Sequence, residues 1–167
     1  MYKPFENISD HARVWIYQSN RELTASEVEF VEANARKFTD QWAAHGTPLH
    51  TSCLVKYNRF LILAADEEVH KASGCSIDSS MHFIQAMEAE LKLSFTDRLH
   101  VVFLKGEEAV GMHVTEISDA VKGGKIDENA ITFNNLVPSK GELLKNWKVR
   151  AGDTWLKKYF TSNKQIA

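Results

Sequence analysis

The run Ser73-Gly74-Cys75-Ser76-Ile77-Asp78-Ser79-Ser80 gathers small, polar and nucleophilic residues just ahead of a helix-like segment beginning near Met81. A cysteine acts as a nucleophile when it is a thiolate, and a helix N-terminus together with a nearby imidazole favours that form. His45 or His50 could supply the imidazole and Asp66 or Asp78 could orient it, so Cys75, His45 and Asp66 form a candidate catalytic set. Anion binding asks less of the same loop. The unpaired N–H groups of a first helical turn, the backbone at Gly74, the hydroxyls of Ser73 and Ser76, and His50 would hold a phosphate or carboxylate without a covalent step. Asp78 would compete with that anion for the positive end of the helix. A third reading is purely local: Ser76 or Asp78 caps the helix and Cys75 fills a tight turn.

Other chemistries find less support. His45 and His50, like His70 and Cys75, are five residues apart, which is neither a helical ligand pair nor a zinc spacing. Asp78 and His82 share a helix face and suit a local hydrogen bond. No metal or cofactor is expected. Gly106 and Gly111 have the glycine spacing of a phosphate-binding P-loop, but Met112 and His113 stand where lysine and a hydroxyl residue are required, and Gly123-Gly124-Lys125 is followed by Ile126.

These residues must be positioned by strands and helices that the hydrophobic pattern delineates. Val14-Trp15-Ile16-Tyr17 reads as a strand. Thr24 and Glu27 make a capping box for a helix whose apolar residues Val28, Val31, Ala35, Phe38 and Trp42 recur at helical spacing and which stops at His45-Gly46. Thr51 to Val55 is a second strand, joined by the short turn Tyr57-Asn58-Arg59 to Phe60-Leu61-Ile62-Leu63-Ala64-Ala65, apolar throughout and therefore central. A second helix carries Met81, Ile84, Met87 and Leu91, and Leu99 to Leu104 forms a fourth strand.

The order β-α-β-β-α-β predicts an α+β fold of the ferredoxin-like kind, an antiparallel sheet in the order 4-1-3-2 with two helices on one face. That topology brings the start of the second strand and the end of the third together, so His45 to His50 should meet Asp66 and the Ser73 to Ser80 loop. Arg21, Arg59 and Arg98 should lie at the opposite end. A C-terminal α/β extension follows, with a helix over Val114 to Val121, an edge strand over Ala130 to Phe133 and a helix from Ser139 to Trp147. The 167 residues, 44% of them hydrophobic, suit a single globular domain with its core over about 12–106 and the extension over about 107–167.

No apolar run approaches the roughly 20 residues that span a bilayer, and Met1-Tyr2-Lys3-Pro4 lacks a signal-peptide layout, so a cytoplasmic location is expected. Cys53 and Cys75 read as free thiols in a reducing compartment. The 20 basic and 22 acidic residues are unevenly spread: from Pro138 onward seven basic residues face only Glu142 and Asp153. A basic tail lying on the chain's own acidic body accounts for this without nucleic acid, for which there is no strong signal. Trp147 and Trp155, with Tyr159 and Phe160, should close the core from the tail side.

Trp15-Ile16-Tyr17 with Arg21 and Leu23, Trp42-Ala43-Ala44-His45-Gly46, Ser73-Gly74-Cys75-Ser76-Ile77-Asp78, and Trp147 with Trp155 resemble a family of small uncharacterised bacterial proteins often labelled ABC transporter ATPases. The resemblance spans most of the chain and implies no established activity. The label does not carry over, because neither the P-loop nor the Leu-Ser-Gly-Gly-Gln signature of such ATPases is present. The expectation is thus a module binding a small anionic molecule at Ser73 to Ser80. The alternatives are a thiol-dependent enzyme using Cys75 and a protein-interaction module working through an edge strand or open sheet face.

Overall fold

The computed structural model describes residues 1–44, 46–68 and 71–166. Its elements are β1 (Arg13–Gln18), α1 (Ala25–Gln41), β2 (Ala43–Ala44), β3 (Thr47–Pro48), β4 (His50–Lys56), β5 (Phe60–Asp66), α2 (Gly74–Leu91), β6 (His100–Lys105), β7 (Glu108–His113), α3 (Ile117–Lys122), β8 (Ile131–Phe133), α4 (Lys140–Asn146), β9 (Lys148–Arg150) and α5 (Lys157–Ile166). The architecture is α+β with antiparallel pairing in its sheets. One sheet has the order β1-β5-β4, a second β7-β6-β8-β9, and β2 and β3 form a small ribbon.

The apolar run of β5 is central, as its composition predicts, and the reason is burial on both faces. Side chains alternate along a strand, so Leu61, Leu63 and Ala65 pack with Val31, Ala35, Ile84 and Met87 of the helices. Phe60, Ile62 and Ala64 face the other way, onto Val14, Val102, Leu143 and Trp147. The C-terminal third therefore covers the sheet face that a ferredoxin-like sheet would leave open.

The expected sheet order holds for three strands and not for the fourth. β6 pairs with β7 along its length and with β8 at Phe103 and Leu104, not with β1. A side-chain bond replaces the ladder: Gln18 Nε2 donates to the His100 carbonyl at 2.9 Å. β8, expected at an edge, is interior between β6 and β9. The turn of the β4–β5 hairpin places Tyr57 and Asn58 at φ of 54° and 53°, the left-handed geometry that matches strand twist. Its next residue, Arg59, lies against β7 at Gly111, where a Cβ would come within 2.5 Å of Arg59 Nη1, so any side chain here would have to push the guanidinium aside.

The Thr24–Glu27 capping box forms as the sequence predicts. Arg21 adds to it, donating to both Glu27 carboxylate oxygens at 2.9 and 2.7 Å and to the Leu91 carbonyl at 2.8 Å. The guanidinium holds the Glu27 carboxyl down to about 2 and ties the start of α1 to the end of α2. No described helix is long and apolar enough to cross a membrane.

Candidate functional site

The run from Ser73 to Ser80 is the beginning of a helix and not a loop before one. Ser73 is the N-cap of α2, its hydroxyl accepting from Ser76 N while the Ser76 side chain accepts from Ser73 N, so the helix starts two turns ahead of the expected Met81. The helix start is tied to Trp42 and Ala43, just ahead of the His45 to His50 stretch expected to meet it. Ser76 Oγ donates to the Ala43 carbonyl at 2.7 Å, and Trp42 Nε1 donates to the Ser76 carbonyl at 2.8 Å in a buried bond. His50 and Asp66 are register partners at the same sheet end, as the topology requires. His45 lies outside the described residues.

These contacts occupy the groups that an anion would need. The hydroxyls of Ser73 and Ser76 serve the cap and the tie to β2, and Ser79 Oγ donates to the Cys75 carbonyl at 2.8 Å. Asp66 accepts from Glu68 N at 3.0 Å, while Gly74, Asp78 and His50 are exposed. Among the described residues no side chain hydrogen-bonds to the Cys75 sulfur.

The two thiols differ in surroundings. Burial pushes the Cys53 thiol up to about 11, whereas Cys75 is exposed on the first turn of α2. Iodoacetamide at about pH 8 should therefore modify Cys75 and spare Cys53 in the folded protein, because only the thiolate attacks. Peptide mass mapping after a timed reaction checks this. Equal labelling of both cysteines would mean that β4 does not hold Cys53 in its half-buried place.

A different region has the geometry of a site. A cleft of about 1170 Å³ opens between β1 and the second sheet, lined in part by Ile16, Gln18, Arg98, His100, Asn135 and Lys148. Four sequence features build it. The β1 edge and the start of β6 diverge, with the Gln18 amide spanning them. Asn135 Nδ2 donates to Gln18 Oε1 at 3.1 Å, and buried Trp147 in turn donates to Asn135 Oδ1 at 2.9 Å, so the C-terminal tail fixes the bridge. Arg98, Lys148 and Arg150 bring positive charge to the walls beside the carboxylates of Asp97 and Asp153, and Leu136 and Trp155 line it with exposed apolar surface.

On one wall Asp97 Oδ2 lies 2.7 Å from His100 Nδ1. The Leu99 backbone N–H, donating to Asp97 Oδ1 at 2.6 Å, is the main cause of a carboxyl held below its ordinary range, with His100 adding to it. An ionised carboxylate only accepts, so His100 Nδ1 is the donor. The His113 ring stands edge-on to His100 with centroids 5.2 Å apart. No family model, curated protein or solved structure matches this chain.

What the cleft can do follows from what its hydroxyls already do. Thr132 Oγ1 donates to the Val102 carbonyl, Thr154 Oγ1 to the Ala151 carbonyl, and Tyr17, whose phenol burial pushes up, reaches Met81 Sδ. Each is engaged, which leaves cations, amides and an oriented imidazole as the groups presented to a ligand. Among the described residues no three His, Cys, Asp or Glu side chains gather as a metal site. Sequence reading missed this cleft because the Asp97–His100 pair and Lys148 come from separated segments; the one local signal was Asp97 three residues before His100.

Proposed function

We propose that this protein is a binding module whose anionic ligand sits in the cleft between β1 and the second sheet, rather than at Ser73 to Ser80. The carrying observation is the convergence of Arg98, Lys148 and Arg150 on one cleft. Arg150 is already engaged by Asn129 and Asp153, at 3.1 and 3.5 Å, while Arg98 forms no ion pair among the described residues and Lys148 rests over the Tyr57 ring. A ligand carboxylate or phosphate supplies an ionic partner for Arg98 and Lys148. His100, oriented by Asp97, is a further donor when protonated.

This reading keeps β1, α1, β4, β5, α2 and β6 as a ferredoxin-like unit in which the fourth strand stands off from the first, and the gap between them is the cleft. Titration calorimetry with citrate at low salt tests it. Binding should weaken about tenfold or more in the Arg98→Ala, Lys148→Ala double variant, since each charge-assisted contact is worth roughly 1.5–3 kcal/mol before solvent screening reduces it. Equal citrate affinity in the wild type and double variant would place the anion elsewhere.

The thiol-enzyme reading rests on Cys75 being exposed at a helix N-terminus. It would be supported instead if a Cys75→Ser variant lost a measurable acyl-transfer activity.

A further inference from the structure

The walls of the cleft are two strand edges whose backbone groups point into it. In β1, Ser19 N donates inward to the Arg59 carbonyl and Val14 N donates outward to the Pro138 carbonyl. Alternation along the strand then turns the N–H and C=O groups of Ile16 and Gln18 outward, away from β5. Beyond the bridge between Arg13 and Ser139, no described backbone group pairs with β1 on that side.

β6 presents the matching edge. The Leu99 carbonyl accepts from Val114 N on the β7 side, so the carbonyls of His100 and Val102 face the other way, and β8 reaches β6 only at Phe103 and Leu104. The Phe103–Thr132 register puts the Val102 carbonyl in the β8 ladder, so on this side only the His100 carbonyl lies beyond β8, and there Gln18 Nε2 stands in for a missing strand. An added strand needs its flanking strands about 9.5 Å apart, twice the usual spacing, and β1 and β6 are joined here by a glutamine side chain in place of a ladder.

From these edges we infer that the cleft takes an extended acidic peptide, which pairs with the outer edge of β1 at Ile16 and Gln18. The inference rests on the cleft-binding reading and names its ligand. Three observations select a peptide. Open backbone groups recognise a backbone, not a small anion. The cleft volume of about 1170 Å³ exceeds the usual small-ligand range of about 300–1,000 Å³. Arg98 and Lys148 complement acidic side chains, while Leu136, 89% exposed, and Trp155, 57% exposed, offer apolar surface to alternate residues. Bound in this way the strand would displace the Gln18 amide from the His100 carbonyl.

The test uses the full chain and a fluorescein-labelled peptide of about eight residues that alternates glutamate and valine. Fluorescence anisotropy should show saturable binding, weakened at least about tenfold when lysine replaces glutamate and by a similar factor in Ile16→Pro, which removes an outward N–H and the backbone bond it makes to the peptide. N-methylating one alternate set of peptide nitrogens should abolish binding and methylating the other set should not; this arm reads the pairing even if Ile16→Pro does not fold. Citrate binding without peptide binding overturns the inference and keeps the cleft reading; failure of both overturns both. Equal binding of the glutamate and lysine peptides, indifference to N-methylation, or concentration-dependent self-association that blocks the peptide would each overturn it as well.

Discussion

Trp147→Ala should lower stability by about 3–5 kcal/mol, the cost of deleting a large aromatic from a packed core. The ring is buried, 4.6 Å from Phe133, 4.9 Å from Phe60 and 5.9 Å from Tyr57 between centroids. Four aromatic rings thus close the second face of β5, and none of the other three can fill the vacancy without leaving its own contacts. With a urea slope of about 2 kcal/mol per M, the midpoint should fall by roughly 1.5–2.5 M. Trp155→Ala, at an exposed ring, should stay within about 0.5 kcal/mol. The indole N–H adds a second effect, because it anchors Asn135 and through it Gln18. Trp147→Phe should therefore cost less stability yet loosen the cleft, read as weaker citrate binding at an almost unchanged midpoint. Equal midpoints for the two alanine variants would overturn the assignment of Trp147 as the closure of this core.

The same pair of tryptophans shows how far the sequence could be read. Both sit in a basic, aromatic tail and look alike by type and neighbours, so closing the core was expected of each; Trp147 does so and Trp155 does not. What separates them is their place after α4 and after β9, which periodicity does not encode. Local signals fared well: the Thr24–Glu27 box, the Tyr57-Asn58 turn and the apolar run of β5 each act over a few residues and are found where expected. The start of α2 was misplaced because Ser73, Ser76, Ser79 and Ser80 each suit a cap, and choosing among them depends on Ser76 reaching Ala43, a contact across 33 residues. β7 and β9 went unread for a similar reason. The first contains Gly111 and the second has charged residues at both ends, so neither has the composition of a strand; their partners β6 and β8 hold them in place. The candidate site was the least legible, since a cleft between diverging strands is a property of two sheets and leaves no motif in either.

Lys140 carries the second large effect, and its charge reads in the sequence as one more member of the basic tail. In the fold it is 6% exposed, and Nζ donates to the carbonyls of Glu6 at 3.1 Å and Ile8 at 2.8 Å, with Asp10 Oδ1 3.4 Å away. The ammonium closes the carbonyl end of the Phe5–Asn7 turn and fastens it to α4, whose last turn delivers Trp147. Lys140→Met keeps the aliphatic stem and removes both bonds. Stranding the buried Ile8 carbonyl and the part-buried Glu6 carbonyl should cost about 2–4 kcal/mol, since an unsatisfied buried acceptor costs about 1–3 kcal/mol and a part-buried one less. The ion pair contributes far less, because the Asp10 side chain is 69% exposed and water screens it. Asp10→Asn should accordingly shift the urea midpoint very little. A comparable loss in Asp10→Asn and Lys140→Met would make the pair, not the carbonyls, the partner that matters. If instead only Lys140→Met is destabilised and its citrate affinity also falls, the N-terminal turn, α4 and the cleft behind Trp147 are mechanically one unit.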